Sequence, residues 1–148
     1  MTWQQRSKDG LVQTHIATKT EIDELRAVVA RNLADAGVSD LSADNRLGIA
    51  YEAVLVSCKM VVHAAGYRVR SGIPRAHAVT LECAELALGP SVHDALAYFD
   101  TVRRRRNTLS YDTAGLVSDH EAKDALKQAL AFRKTVDGWF AKHHPRLV

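Results

Sequence analysis

The stretch SADNRLGIAYEAVLVSCKMVVHAAG, residues 42–66, decides the fold class. Ser42 or a neighbour opens a helix, and Leu47, Ala50, Tyr51, Val54, Cys58, Val61 and Ala65 recur along one face at helical spacing. Gly66 closes it. No strand-like alternation competes with this period, here or elsewhere in the chain.

The same punctuation repeats on both sides. Thr18 with Glu21 fits a capping box, Ile22, Leu25, Val29 and Leu33 follow at helical spacing, and Gly37 ends that helix. Beyond Gly66 comes a basic loop, YRVRSGIPR, residues 67–75, with Pro74 suited to the first turn of a third helix that stops at Gly89-Pro90. Ser91 with Asp94 caps a fourth helix running at least to Leu109. Ser118 with Glu121 forms the best capping box in the chain, and it opens a fifth helix bearing Ala122, Ala125, Ala129, Phe132, Val136, Trp139 and Phe140 on one side. Alanine occurs 22 times against 8 Gly and 3 Pro, the composition of a helical domain. The expectation is an all-α chain: an antiparallel up-and-down bundle of four to five helices over residues 18–142. Residues 1–17 read as an irregular segment anchored by Trp3 and Ile16, and residues 143–148 as a frayed tail.

The chain has 148 residues, enough for one domain with one sizeable core. An apolar share of 47% with 25% charge excludes a disordered chain. No apolar run reaches the roughly eighteen residues of a membrane span, and MTWQQRSKDG lacks the apolar centre of a secretion signal. A cytoplasmic protein is expected, with Cys58 and Cys83 as small buried thiols.

The net charge of +3 is smaller than a single run of four arginines, Arg103 to Arg106, so the rest of the chain is slightly acidic. Stepping about 100° per residue along the fourth helix, Phe99, Arg103 and Arg106 all fall within about 40° of Val92. Arg104 and Arg105 point away from that apolar stripe. A guanidinium on a buried stripe needs an acid, a carbonyl or a ligand. Either Arg106 pairs with Asp100 or Glu52, or its planar fork is presented to phosphate.

The segment Asp100-Thr-Val-Arg-Arg-Arg-Arg-Asn-Thr-Leu-Ser-Tyr111-Asp112 resembles the signature of the HEPN superfamily, the higher eukaryotes and prokaryotes nucleotide-binding domains. Upstream, Leu47-Gly-Ile-Ala-Tyr51-Glu52-Ala, Ala64-Ala-Gly66-Tyr67-Arg68 and His77 are similar to bacterial members of that superfamily, and the resemblance spans roughly residues 20–140. It implies a helical homodimer that binds RNA or a nucleotide, is paired in some members with an antitoxin or a nucleotidyltransferase, and serves there as the toxin of a toxin–antitoxin or phage-defence pair. No cofactor and no metal are implied. Carried over residue by residue, Arg106 and Asn107 match the motif and Tyr111 stands where the family has His. If the chain is an enzyme, the resemblance implies a metal-independent endoribonuclease: Arg106 stabilises charge on the scissile phosphate, Asn107 orients it, and Tyr111 contacts the sugar or leaving oxygen. Arg103, Arg104, Arg105, Asp112 and His77 are the expected phosphate contacts. Because a free Tyr titrates near pH 10, Tyr111 is a poor general base, which leaves a non-catalytic interaction module as the alternative. The loop 67–75 is too long for a helix-turn-helix, no DNA-specific motif is present, and no cationic face with large apolar side chains suits a membrane surface.

Overall fold

The computed structural model describes the backbone of residues 1–111 and 116–148, and the side chains of residues 1–107 and 116–148. The chain runs α1 (Trp3–Lys8), β1 (Val12–Thr14), α2 (Lys19–Ala36), α3 (Ala43–Ala64), β2 (Tyr67–Val69), α4 (Ala76–Leu88), α5 (His93–Tyr111) and α6 (Asp119–His143). Single 3₁₀ turns, Pro90–Val92 and Pro145–Leu147, flank α5 and end the chain. The fold is the expected all-α bundle.

Helix α3 is its axis, packing against α2, α4, α5 and α6. That role follows from its composition. Leu47, Ala50, Tyr51, Ala53, Val54, Ser57, Cys58, Met60, Val61 and Val62 are all buried, so apolar side chains occupy far more than one stripe. By length and composition α3 is the one described helix able to cross a bilayer, contrary to the expectation of no such run; here 67% of its apolar window is buried inside the protein. Ile22, Val29 and Leu33 from α2, Leu81 and Ala84 from α4, Leu96, Phe99 and Val102 from α5, and Phe132, Val136 and Phe140 from α6 complete the core. Truncating a fully buried ring such as Phe140 to alanine is expected to cost about 3–5 kcal/mol.

Several boundaries differ from the sequence reading. Residues 1–17 are not irregular. Thr2 and Gln5 form a complete capping box that starts α1, and β1 pairs antiparallel with β2 in the register Val12↔Val69, Gln13↔Arg68, Thr14↔Tyr67. Trp3 does anchor, stacking on Tyr67 at 4.5 Å, whereas Ile16 is 92% exposed. Val12, Val62, Val79 and Cys83 make a second small core beneath this segment. The tail also holds its place, since Arg26 Nη2 donates to the Leu147 carbonyl at 2.8 Å. Pro74 precedes α4 and is not in its first turn; Arg75 caps that helix in the left-handed region at φ 58°. Ser91 falls inside the 3₁₀ turn, so α5 begins at His93 without the expected box.

Cys58 and Cys83 are free and buried. Tyr51 is fully buried, and its hydroxyl finds no partner among the described residues. An unsatisfied buried hydroxyl costs about 1–3 kcal/mol, so Tyr51→Phe is expected to raise the urea midpoint, by about 1 kcal/mol in stability. A lowered midpoint would mean that the hydroxyl is paired.

Candidate nucleic-acid interface

The four arginines of α5 fan out to three acids. Asp100, one turn earlier, accepts from Arg103 Nε at 3.0 Å and from Arg104 Nη2 at 3.0 Å. Arg105 reaches α6, where Glu121 takes its guanidinium, and Arg105 Nη2 also donates to the Leu116 carbonyl at 3.0 Å. Arg106 Nη1 donates to Glu52 Oε1 on α3 at 2.7 Å, and its guanidinium lies 5.6 Å from the Tyr51 ring centroid. Arg106 also lies against Gly48, where an added Cβ would meet its Nε at 3.5 Å. The Glu52 alternative for Arg106 is the one realised.

Burial corrects one part of the helical-wheel reading. Arg103 does turn inward, its side chain 21% exposed, and Arg104 outward at 67%. Arg106 is as open as Arg105, 39% against 41%, because it emerges at the rim of α3 instead of over its centre. Asn107 is exposed beside it. The Tyr111 side chain and all of Asp112 lie outside the described residues. What the structure assembles around α5 is therefore two ion pairs internal to the helix, on Asp100, and two that clasp it to α6 and α3.

His77 is in a different setting. It is exposed in the first turn of α4, with its ring 6.3 Å from that of Tyr51, and it lines a groove of about 290 Å³. The other polar side chains of that groove include Lys59 from α3, Arg68 from β2, Arg70 just after it, and Ser71. The short ladder positions them: Arg68 sits opposite Gln13, and the Arg70 N–H donates to the Leu11 carbonyl at 2.9 Å. Among the described residues no carboxylate lines the groove, and none pairs with Lys59, Arg68 or Arg70. Three cations converge here without the compensation that every arginine of α5 receives. Among the described residues the groove therefore carries an uncompensated excess of positive charge.

The loop 67–75 announced its basic character in the sequence, but Lys59 joins it only through the fold. His93 and His120 lie elsewhere: His93 Nδ1 meets Glu85 Oε1 at 3.0 Å, and His120 lies by Arg105 and Glu121. Three further residues went unrecognised as a group, His15, Glu21 and His63. They meet beside the last turn of α3 although 42 residues separate Glu21 from His63. No family profile, no curated protein and no solved structure matches this chain. The residues themselves carry the functional reading.

Two outcomes test the α5 clasp. Both partners of the Arg106–Glu52 pair are over a third exposed, so a double-mutant cycle with Arg106→Ala and Glu52→Ala should give a coupling of about 0.2–1 kcal/mol that shrinks as salt rises. Tyr98 sits beside the clasp, and burial, then the Asp124 carboxylate, push its hydroxyl up to about 12. The unfolded chain ionises its tyrosines near pH 10, so Tyr98 adds stability below that pH and loses its contribution as pH climbs to about 12. Tyr98→Phe should therefore flatten the alkaline limb of a stability–pH curve.

Proposed function

We propose that this chain is a HEPN-like RNA-binding module that grips the phosphate backbone of single-stranded RNA in the groove of Lys59, Arg68, Arg70 and His77. The observation that carries this reading is the contrast in charge pairing: among the described residues these groove cations face no acid, whereas the α5 arginines are each held by one. Phosphate affinity comes from cations free to release their counterions, and a guanidinium already engaged by a carboxylate contributes less. The exposed His77 imidazole adds a flat ring against which a base can stack.

On this reading binding leads and cleavage does not. Arg106 is committed to Glu52, and a tyrosine in the place of the family's His is by residue type a poor general base. Homodimerisation, and an antitoxin or nucleotidyltransferase partner, remain proposals drawn from the resemblance alone.

Fluorescence anisotropy with a labelled single-stranded RNA tests the assignment. The Lys59→Ala, Arg68→Ala, Arg70→Ala triple variant should bind at least tenfold more weakly. Its log–log salt slope should fall by about 2, since each single-strand phosphate contact contributes about 0.7. Arg104→Ala should change affinity less than threefold. Loss of binding on Arg104→Ala or Arg106→Ala with the triple variant unaffected would move the interface to α5. Wild-type protein that binds no RNA at low salt would end the proposal.

A further inference from the structure

The strongest unassigned cluster lies on the other side of His63 from the groove. His15 follows β1, and its backbone N–H donates to the Gly66 carbonyl at 2.9 Å, which pins it beside the end of α3. Gly66, at φ 100°, allows the chain to turn there. His63 occupies the last turn of α3, and Glu21 the first turn of α2. Three elements therefore deliver three side chains to one point.

The geometry is tight. Glu21 Oε1 lies 2.8 Å from His15 Nε2 and 3.0 Å from His63 Nδ1, and Glu21 Oε2 lies 2.9 Å from His15 Nε2. One ligand-capable atom from each residue falls within 4.8 Å of the other two. Donor atoms around a tetrahedral zinc sit roughly 3.3 Å apart, given bonds of about 2.0–2.2 Å, so each Glu21–imidazole contact has to open by a few tenths of an ångström, and the two imidazole nitrogens, within 4.8 Å of each other, have to approach by no more than about 1.5 Å.

Glu21 is also diverted to this purpose. The Thr18 hydroxyl accepts from the Glu21 N–H at 3.1 Å, but the reciprocal half of the capping box is missing at α2, because the carboxylate turns to the two imidazoles. At α6 the same sequence pattern makes both halves of the box. Beside the cluster lies a cavity of about 660 Å³ that His15 and His63 line together with His143 and His144. Four of the chain's 7 histidines thus face one space.

We propose that His15 Nε2, His63 Nδ1 and a Glu21 carboxylate oxygen bind one divalent zinc-class ion, with its fourth coordination position directed to that cavity. Two imidazoles and one carboxylate suit Zn²⁺ and its neighbours, not Ca²⁺ or Mg²⁺, which take oxygen ligands. Three protein ligands with one open position is the arrangement of zinc sites that hold an exchangeable water. The imidazole nitrogens that now bond Glu21 must present a lone pair to ligate, so binding competes with the Glu21 hydrogen bonds and each neutral ring then carries its proton on the nitrogen that does not ligate. His143 and His144 line the cavity without joining the cluster, and they are not ligands.

Full-length, tag-free protein, dialysed against chelator, should take up one Zn²⁺ per chain in a calorimetric titration. Co²⁺ added alone should give the intense visible bands of four-coordination. His15→Ala and Glu21→Gln should each weaken Zn²⁺ binding at least tenfold, while the His143→Ala, His144→Ala double variant binds within threefold of wild type. Because changes in this cluster can disturb folding, wild-type imidazole ¹⁵N spectra give an independent reading: Zn²⁺ should shift His15 Nε2 and His63 Nδ1. No saturable binding, binding indifferent to Glu21→Gln, loss only in the double variant, or unshifted His15 and His63 rings would each overturn the site.

Discussion

Everything in this fold depends on burying α3. Its apolar residues wrap most of its circumference, so water must be excluded on several sides at once, and no single neighbouring helix can do that. The other long helices are spaced around it accordingly, and the small core of Val12, Val62, Val79 and Cys83 closes a further side. Functional groups follow from the same constraint. Whatever emerges at the rim of α3 — Glu52, Lys59, His63 — meets side chains from whichever element covers that rim.

Charge distribution then separates two surfaces that look alike in composition. The arginine run supplies the largest block of positive charge, yet each of its members meets an acid of the same chain, Asp100 within α5, Glu121 on α6 or Glu52 on α3. The groove of Lys59, Arg68 and Arg70 holds fewer cations with no acid among them. Exposed ion pairs add little stability each, but they do cancel the field that a distant polyanion would feel. Net charge in a segment therefore does not give the field it projects; the charge left unpaired does.

Helix existence was legible because periodicity and capping are local. Ser42, Thr18 and Ser118 act as N-caps where the pattern placed them. The N-terminal segment was not legible for two reasons. Thr2 and Gln5 form a true capping box in a helix of 6 residues, too short for apolar periodicity to register, and three-residue strands carry no alternation to detect. The α5 arginines show the limit of a helical wheel: it gives direction from one axis and says nothing of how far the neighbouring helix covers it, so Arg106 reads as buried and is half-exposed. The His15, Glu21 and His63 cluster has no sequence spacing to find, since only the β1–β2 ladder brings His15 alongside α3. Glu21 even carried a misleading signal, because its place in a capping pattern explained it in advance.

His63 belongs to the walls of both hollows, the cavity near His143 and the groove near Lys59. One imidazole is thus a party wall between two rooms. A charge placed on it from either side changes the potential on the other, and thermodynamics requires that influence to be mutual. Burial already favours its neutral form, against the pull of the Glu21 carboxylate, so the ring rests as an uncharged partition between a basic groove and a histidine-lined cavity. An ion in one hollow and a phosphate in the other, if both proposals hold, would face each other across the width of a single side chain.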